Sequence, residues 1–317
     1  MVKKVKKKSY NPCAALSCNE CGSPGTNFCA VGNGGITFYC SEECMNDKLL
    51  ESGLETELSF NLNSNVLNIS VSYETSLRTL DLDDIFLVAV NHMPNLIAVD
   101  FFISQDYFNM NDDIDFFSMD QDSKKLILSS QALRSFLEKV STKLESFSFS
   151  LGDCCKQQFK GMSDGGNALR PLGMMPKLRK LKLSRMSFDD INVLTSCLNP
   201  KLKVLHLDNI SMREGYCFIA FEVQSLVAKI SQMKDVVSLS LDDNSLTDED
   251  LAVLLPQLKF LRCLNVSRRF GDIVRQVIFY FKFWTSNYSE VLSSIIRKEY
   301  LQQESENHCN FSGVTRV

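Results

Sequence analysis

One template recurs along this chain and limits what it can fold into: three apolar residues in the order L-x-x-L-x-L. With apolar substitutions it appears as LRTLDL from Leu77, LIAVDF from Leu96, LESFSF from Leu144, LRKLKL from Leu178, LKVLHL from Leu202, VVSLSL from Val236 and LRCLNV from Leu261. The alternation inside each frame is that of a strand with one buried face. The starts are separated by 19, 48, 34, 24, 34 and 25 residues, so the longest gap is expected to hide a degenerate repeat near KKLIL from Lys124. Helical patterns lie between the frames, as in DDINVLTSCL from Asp189 and LTDEDLAVLLPQL from Leu246. In the second, Thr247 and Asp250 have the spacing of an N-terminal capping pair. A unit this small cannot bury its apolar face alone, so several must stack in a row.

The pattern resembles the leucine-rich repeat family in its helix-containing, ribonuclease-inhibitor-like form, most closely in LSLDDNSLTDEDLAVLLPQL from Leu239. The resemblance implies an α/β fold: a horseshoe-shaped solenoid with parallel strands on its concave face and helices on its convex face. The positions between the template's apolar residues then face outward on the strands. They are Thr79, Asp81, Asp100, Phe102, Ser146, Ser148, Lys180, Lys182, Val204, His206, Asp208, Ser238, Ser240, Asp242, Cys263 and Asn265. This mixed set of small side chains suits a protein partner better than a polyanion. The residues expected to hold it are Lys180, Lys182, His206, Asp208 and Asp242.

A different chemistry stands at the N-terminus. CNEC places Cys18 and Cys21 in a C-x2-C pair, and eighteen residues later FYCSEEC places Cys40 and Cys44 in a C-x3-C pair. Two close pairs separated by a glycine-bearing loop are zinc spacing, since each tight turn aims two thiolates at one point. Four sulfurs close the shell, so the single Zn2+ expected here is structural. The segment resembles a degenerate MYND-type zinc finger, in which the first C-x2-C shares a metal with the tyrosine-flanked C-x3-C. It is also similar to single-zinc FCS-type and TRASH-type fingers. The MYND pattern would give Cys29 a cysteine partner three residues on, where Gly32 stands, and no His or Cys follows in MNDKLLESGLE. The second site of that family is therefore expected to be lost, with Cys29 and Cys13 left over.

The chain is thus read as a basic tail (1–12), a zinc finger (13–54), a repeat solenoid (55–285) with an acidic loop near 109–122, and a C-terminal helix and tail (286–317). The richest apolar stretch, IVRQVIFYFKFW from Ile273, is too short to cross a bilayer and reads as a buried capping segment. MVKKVKKKSYNP carries no apolar core of a signal peptide, which leads to an intracellular, reducing compartment where the 12 cysteines stay thiols or bind metal. The lysines between Lys3 and Lys8 lean that expectation toward the nucleus over the cytoplasm.

Catalysis is not expected. Of three histidines only His206 has an Asp and Ser near it in the frames, and no G-x-S-x-G elbow or phosphate-binding glycine loop is present. Net charge is −4, with no basic stripe outside the tail, and Glu20, Glu42 and Glu43 surround the finger. The functional expectation is a non-catalytic protein-interaction adaptor. A substrate-recognition subunit of a ubiquitin ligase and a nucleic-acid-binding regulator acting through the finger are the alternatives.

Overall fold

The computed structural model describes residues 18, 21, 28–32, 35–52, 58–71, 79–103, 125–150, 166–212, 220–241, 246–270 and 273–280. The basic tail, Cys13, the acidic loop near 109–122, Asp242 and the segment 286–317 lie outside them. The chain opens with β1 (Phe28–Gly32), β2 (Gly35–Tyr39), α1 (Glu42–Ser52) and β3 (Leu58–Asn61). It then passes through β4 (Val66–Val71), β5 (Thr79–Asp81) and α2 (Leu82–His92), and through β6 (Ala98–Ile103), β7 (Lys125–Ile127) and α3 (Ser130–Val140). β8 (Ser146–Ser150) leads to a 3-10 helix (Asn167–Met174). Next come β9 (Lys180–Ser184), β10 (Ser187–Phe188) and α4 (Ile191–Cys197), and then β11 (Val204–Asp208), β12 (Ser211–Met212) and α5 (Ala220–Ser231). β13 (Ser238–Ser240) and α6 (Asp248–Leu254) precede β14 (Cys263–Phe270) and β15 (Ile273–Tyr280).

The protein is α/β. Strands β4, β6, β8, β9, β11, β13 and β14 form one parallel run in chain order, and β15 closes it antiparallel to β14. Parallel sheets are ordinarily covered on both faces and read as unbroken apolar runs. Here β8, β9 and β11 each alternate half-buried and buried residues, so only one face of these strands is covered. The frame leucines supply the covered face: Leu144, Leu178, Leu181, Leu183, Leu202, Leu205 and Leu207 are all wholly buried. They share one core with Phe86 of α2, Phe136 of α3, Leu194 of α4, Leu226 of α5 and Leu254 of α6.

The strand-to-strand step is made the same way each time. The residue after the first frame position donates its N–H to the equivalent carbonyl one strand earlier: Ile97 to Asn65, Glu145 to Ile97, Arg179 to Glu145, Lys203 to Arg179, Val237 to Lys203 and Arg262 to Val237. These bonds span 2.7–2.9 Å. Side chains at these positions share little, so a common backbone geometry repeats. Past β9 and β11 the chain turns at Arg185 (φ 57°) and Asn209 (φ 52°), which follow the paired residues Ser184 and Asp208. Those left-handed turns lead into β10 and β12, which pair in a small parallel sheet of their own.

Two frame assignments are corrected by this register. LRTLDL from Leu77 does not enter the main sheet; Thr79–Asp81 is β5, which pairs with β7 as β10 pairs with β12. The first main strand is instead β4, with Leu67 opposite Val99 and Ile69 opposite Phe101. Its frame begins at Ser64, so the missing first leucine concealed it. The 48-residue gap adds no strand to the main sheet between β6 and β8, which pair directly, and Lys125–Ile127 of KKLIL forms β7. Accordingly Thr79 and Asp81 are not on the open face: Asp81 caps α2, its carboxylate accepting from the Asp84 N–H at 3.4 Å.

No helix among the described residues is long and apolar enough to cross a membrane. The apolar stretch from Ile273 begins with β15, at the end of the main sheet.

Candidate metal centre and open sheet face

The four sequence-predicted ligands converge. Cys40 ends the β1–β2 hairpin, whose register runs from Phe28 opposite Tyr39 to Gly32 opposite Gly35. Ser41 then caps α1: its hydroxyl accepts from the Cys44 N–H at 3.2 Å, and its carbonyl accepts from the Met45 N–H at 3.2 Å. This cap sets Cys44 one helical turn from Cys40 and directs both thiols to one side. Cys18 is buried with Tyr39 and Met45, and Cys40 and Cys44 pack against that small cluster.

The sulfurs of Cys18, Cys21, Cys40 and Cys44 all lie within 4.8 Å of one another, with Cys21 to Cys40 at 3.6 Å and Cys40 to Cys44 at 3.4 Å. Tetrahedral ligation with metal–sulfur bonds of about 2.3 Å puts neighbouring sulfurs about 3.8 Å apart, so the donors fit one metal ion of zinc's size. With no ion bound, the neighbouring thiols hinder the ionisation of Cys40. The Cys40 thiol is pushed up to about 12, first by its hydrogen bond to Cys44, then by the one to Cys21, by burial and by Cys18. A bound dication reverses that balance by stabilising thiolates. Cys29 lies in β1, paired with Phe38 on one side and Phe60 on the other.

On the open face the register sets Asn68, Asp100, Ser148, Lys182, His206, Ser240 and Asn265 in one row across the sheet. A neighbouring row runs Val66, Ala98, Ser146, Lys180, Val204, Ser238 and Cys263. Of the five expected contact residues, Lys180, Lys182, His206 and Asp208 all stand on this face, half-buried. His206 Nε2 lies 3.2 Å from the Ser238 hydroxyl. Burial holds its pKa below the usual imidazole value, and Lys182 and Lys180 add to that while Asp208 opposes it.

Sequence reading missed a polar chain beside His206. The Asn265 amide donates to the Ser240 hydroxyl at 2.9 Å, and Ser240 donates to Asp208 Oδ1 at 2.5 Å. The Ser240–Asp208 link is diagonal across adjacent strands, which only a known register reveals. Ser41 was also missed as a cap, although Ser-Glu-Glu before a helix carries that signal. The chain matches no protein-family model and no curated protein.

Proposed function

We propose that the protein is a non-catalytic protein-interaction adaptor, built as a leucine-rich-repeat-like horseshoe with a one-zinc, MYND-like or FCS/TRASH-like finger at its N-terminus. The observation that carries this reading is the open face of seven parallel strands laid down in chain order. Each strand advances one place without reversing, and each repeats the same backbone bond to its predecessor. Such a ribbon curves and presents side chains rather than enclosing a cavity. His206 meets Ser238 on that half-buried strand surface while Asp208 is engaged by Ser240, so the set is read as contact chemistry rather than as a catalytic triad.

In the finger, Cys18, Cys21, Cys40 and Cys44 would hold one structural Zn2+, which supplies folding energy and no reactive position. A reducing compartment, nucleus or cytoplasm, keeps those thiols available. The reading is tested in two measurements. Metal analysis of chelator-free protein should find one zinc per chain, reduced to none in the Cys40→Ser, Cys44→Ser double variant; two zincs, or none in the parent, refutes the finger. A photo-crosslinking residue at Ser148 on the open face should capture a partner in cells that the same residue at Glu138, on the exposed side of α3, does not. Equal capture from both refutes the face.

A further inference from the structure

We propose that the open face takes an extended acidic segment of a partner protein, with its carboxylates on Lys180 and Lys182 and one apolar side chain against Phe102. The proposal rests on the reading of that face as a protein-binding surface and names what it binds.

Lys180 and Lys182 alternate along β9, so both ammonium groups rise from the same face, and both residues are half-buried. Neither ammonium group has an ion pair or hydrogen bond among the described residues. Two ammonium groups side by side without a counter-charge favour a partner carboxylate arriving there. The flanking strands offer no carboxylate at those register positions: Ser146 and Ser148 lie on one side, Val204 and His206 on the other. Asp208 already receives the Ser240 hydroxyl. Asp100 shares the row of Lys182 but stands two strands away, about 10 Å, beyond ion-pair reach.

The second anchor is Phe102, on the same face and 47% exposed. An aromatic ring left this open on a strand is a ready contact for an apolar side chain. Phe102 lies level with Ser184, two strands across and two residues along from Lys182. At about 4.8 Å per strand and 3.3 Å per residue, it is about 12 Å from Lys182 and about 16 Å from Lys180. An extended peptide covers that first distance in three to four residues. The recognised pattern is therefore an apolar residue followed, about four positions on, by an acidic pair. A nucleic acid fits poorly, because Asp100 and Asp208 on the same face repel a continuous polyanion.

The test uses the full chain and fluorescein-labelled peptides on a Ser/Gly scaffold. One peptide carries a Leu and, four positions on, two Glu separated by one residue; its twin replaces both Glu by Gln. The Glu peptide should bind, lose at least tenfold in affinity to the K180E/K182E variant, lose severalfold to F102A, and weaken as salt rises. The Gln twin should bind at least tenfold more weakly. Should the charge reversal disturb folding, K180Q/K182Q takes its place with the same expectation. No binding of the Glu peptide, equal binding of the Gln twin, or indifference to the lysine variants would overturn the proposal. So would a dimer of the chain that dissociates on charge reversal, since a second copy would then own the face. Crosslinking from Ser148 separates the two readings: capture there with failed peptides sinks the acidic assignment alone, whereas loss of both sinks the interaction face as well.

Discussion

Asn199 offers a sharp test of how successive units are joined. It is one of few buried polar residues, only 3% exposed, in the turn between α4 and β11. Its amide donates to the Met175 carbonyl one unit earlier at 2.6 Å, and its own side-chain oxygen accepts from the Lys201 N–H at 2.9 Å. The other donor to Met175 O is the Leu178 N–H at 3.4 Å, too long to replace it. Asn199→Ala leaves a buried carbonyl short of its partner, about 1–2 kcal/mol, and removes a turn bond worth about 1 kcal/mol that water at exposed Lys201 restores in part. The expected loss is about 1–3 kcal/mol in urea unfolding followed by far-UV CD. Asn199→Asp separates the hydrogen bond from the packing. An ionised carboxylate cannot donate to Met175 O, so at pH 7 the Asp variant should be at least as unstable as the Ala variant. Burial and the facing carbonyl raise its folded pKa above the ordinary value of about 3.9, and the protonated acid can donate. The folded state then binds more protons than the unfolded one, so the deficit relative to the parent shrinks as pH falls through the folded pKa. An Ala variant within about 0.5 kcal/mol of the parent, or an Asp variant whose deficit ignores pH, would refute the role assigned to this residue.

Two further outcomes follow from burial and charge. Leu181 is wholly buried and sits in register between Phe147 and Leu205, so Leu181→Ala should cost about 2–5 kcal/mol, whereas K180E/K182E on the opposite face should shift stability by no more than about 0.5 kcal/mol; thermal melts of the three proteins decide it. His92 and His206 both have pKa values lowered by burial, so below the ordinary imidazole value the unfolded chain binds more protons, and stability should fall as pH is taken from about 7 to about 5. The H92Q/H206Q variant should lose part of that slope, and an unchanged slope would show that other groups carry it.

The parts of this architecture legible in the sequence were those written in side-chain periodicity. Frames from Leu96, Leu144, Leu178, Leu202, Val236 and Leu261 all entered the main sheet, because alternating apolar residues can bury only one way. Frame-like text at Leu77 misled because Leu80 and Leu82 follow the same spacing, while the frame of the actual first strand, β4, has Ser64 in place of its first leucine. That strand is defined by the Asn65 carbonyl, which receives the Ile97 N–H, and a backbone bond leaves no mark on residue type. The same holds for the long gap. Its length and KKLIL suggested a hidden repeat, but the direct pairing of Ala98 with Ser146 leaves no place for another strand of the main sheet. The four cysteines were legible because metal ligation restricts residue identity itself, not only polarity.

An open run of parallel strands leaves two ends where core side chains would meet water, and the chain covers them differently, with an added antiparallel strand at one and a separate small antiparallel sheet at the other. At one end β14 folds back into β15, pairing from Cys263 opposite Tyr280 to Phe270 opposite Ile273. At the other, β3 runs antiparallel to β1 immediately before β4 begins, joining the hairpin that carries Cys40. Phe38 of that hairpin and Phe60 of β3 belong to the main core along with Leu62 and Leu67, and Phe38 meets the His92 ring edge-on at 5.9 Å. The cysteine cluster therefore sits on the outer side of a layer whose inner side closes the repeat core. A metal ion there would fix the hairpin, and the hairpin places Phe38 in the core beside Leu67 of β4. A metal ion held by those four cysteines would therefore act as a clasp at this end of the sheet.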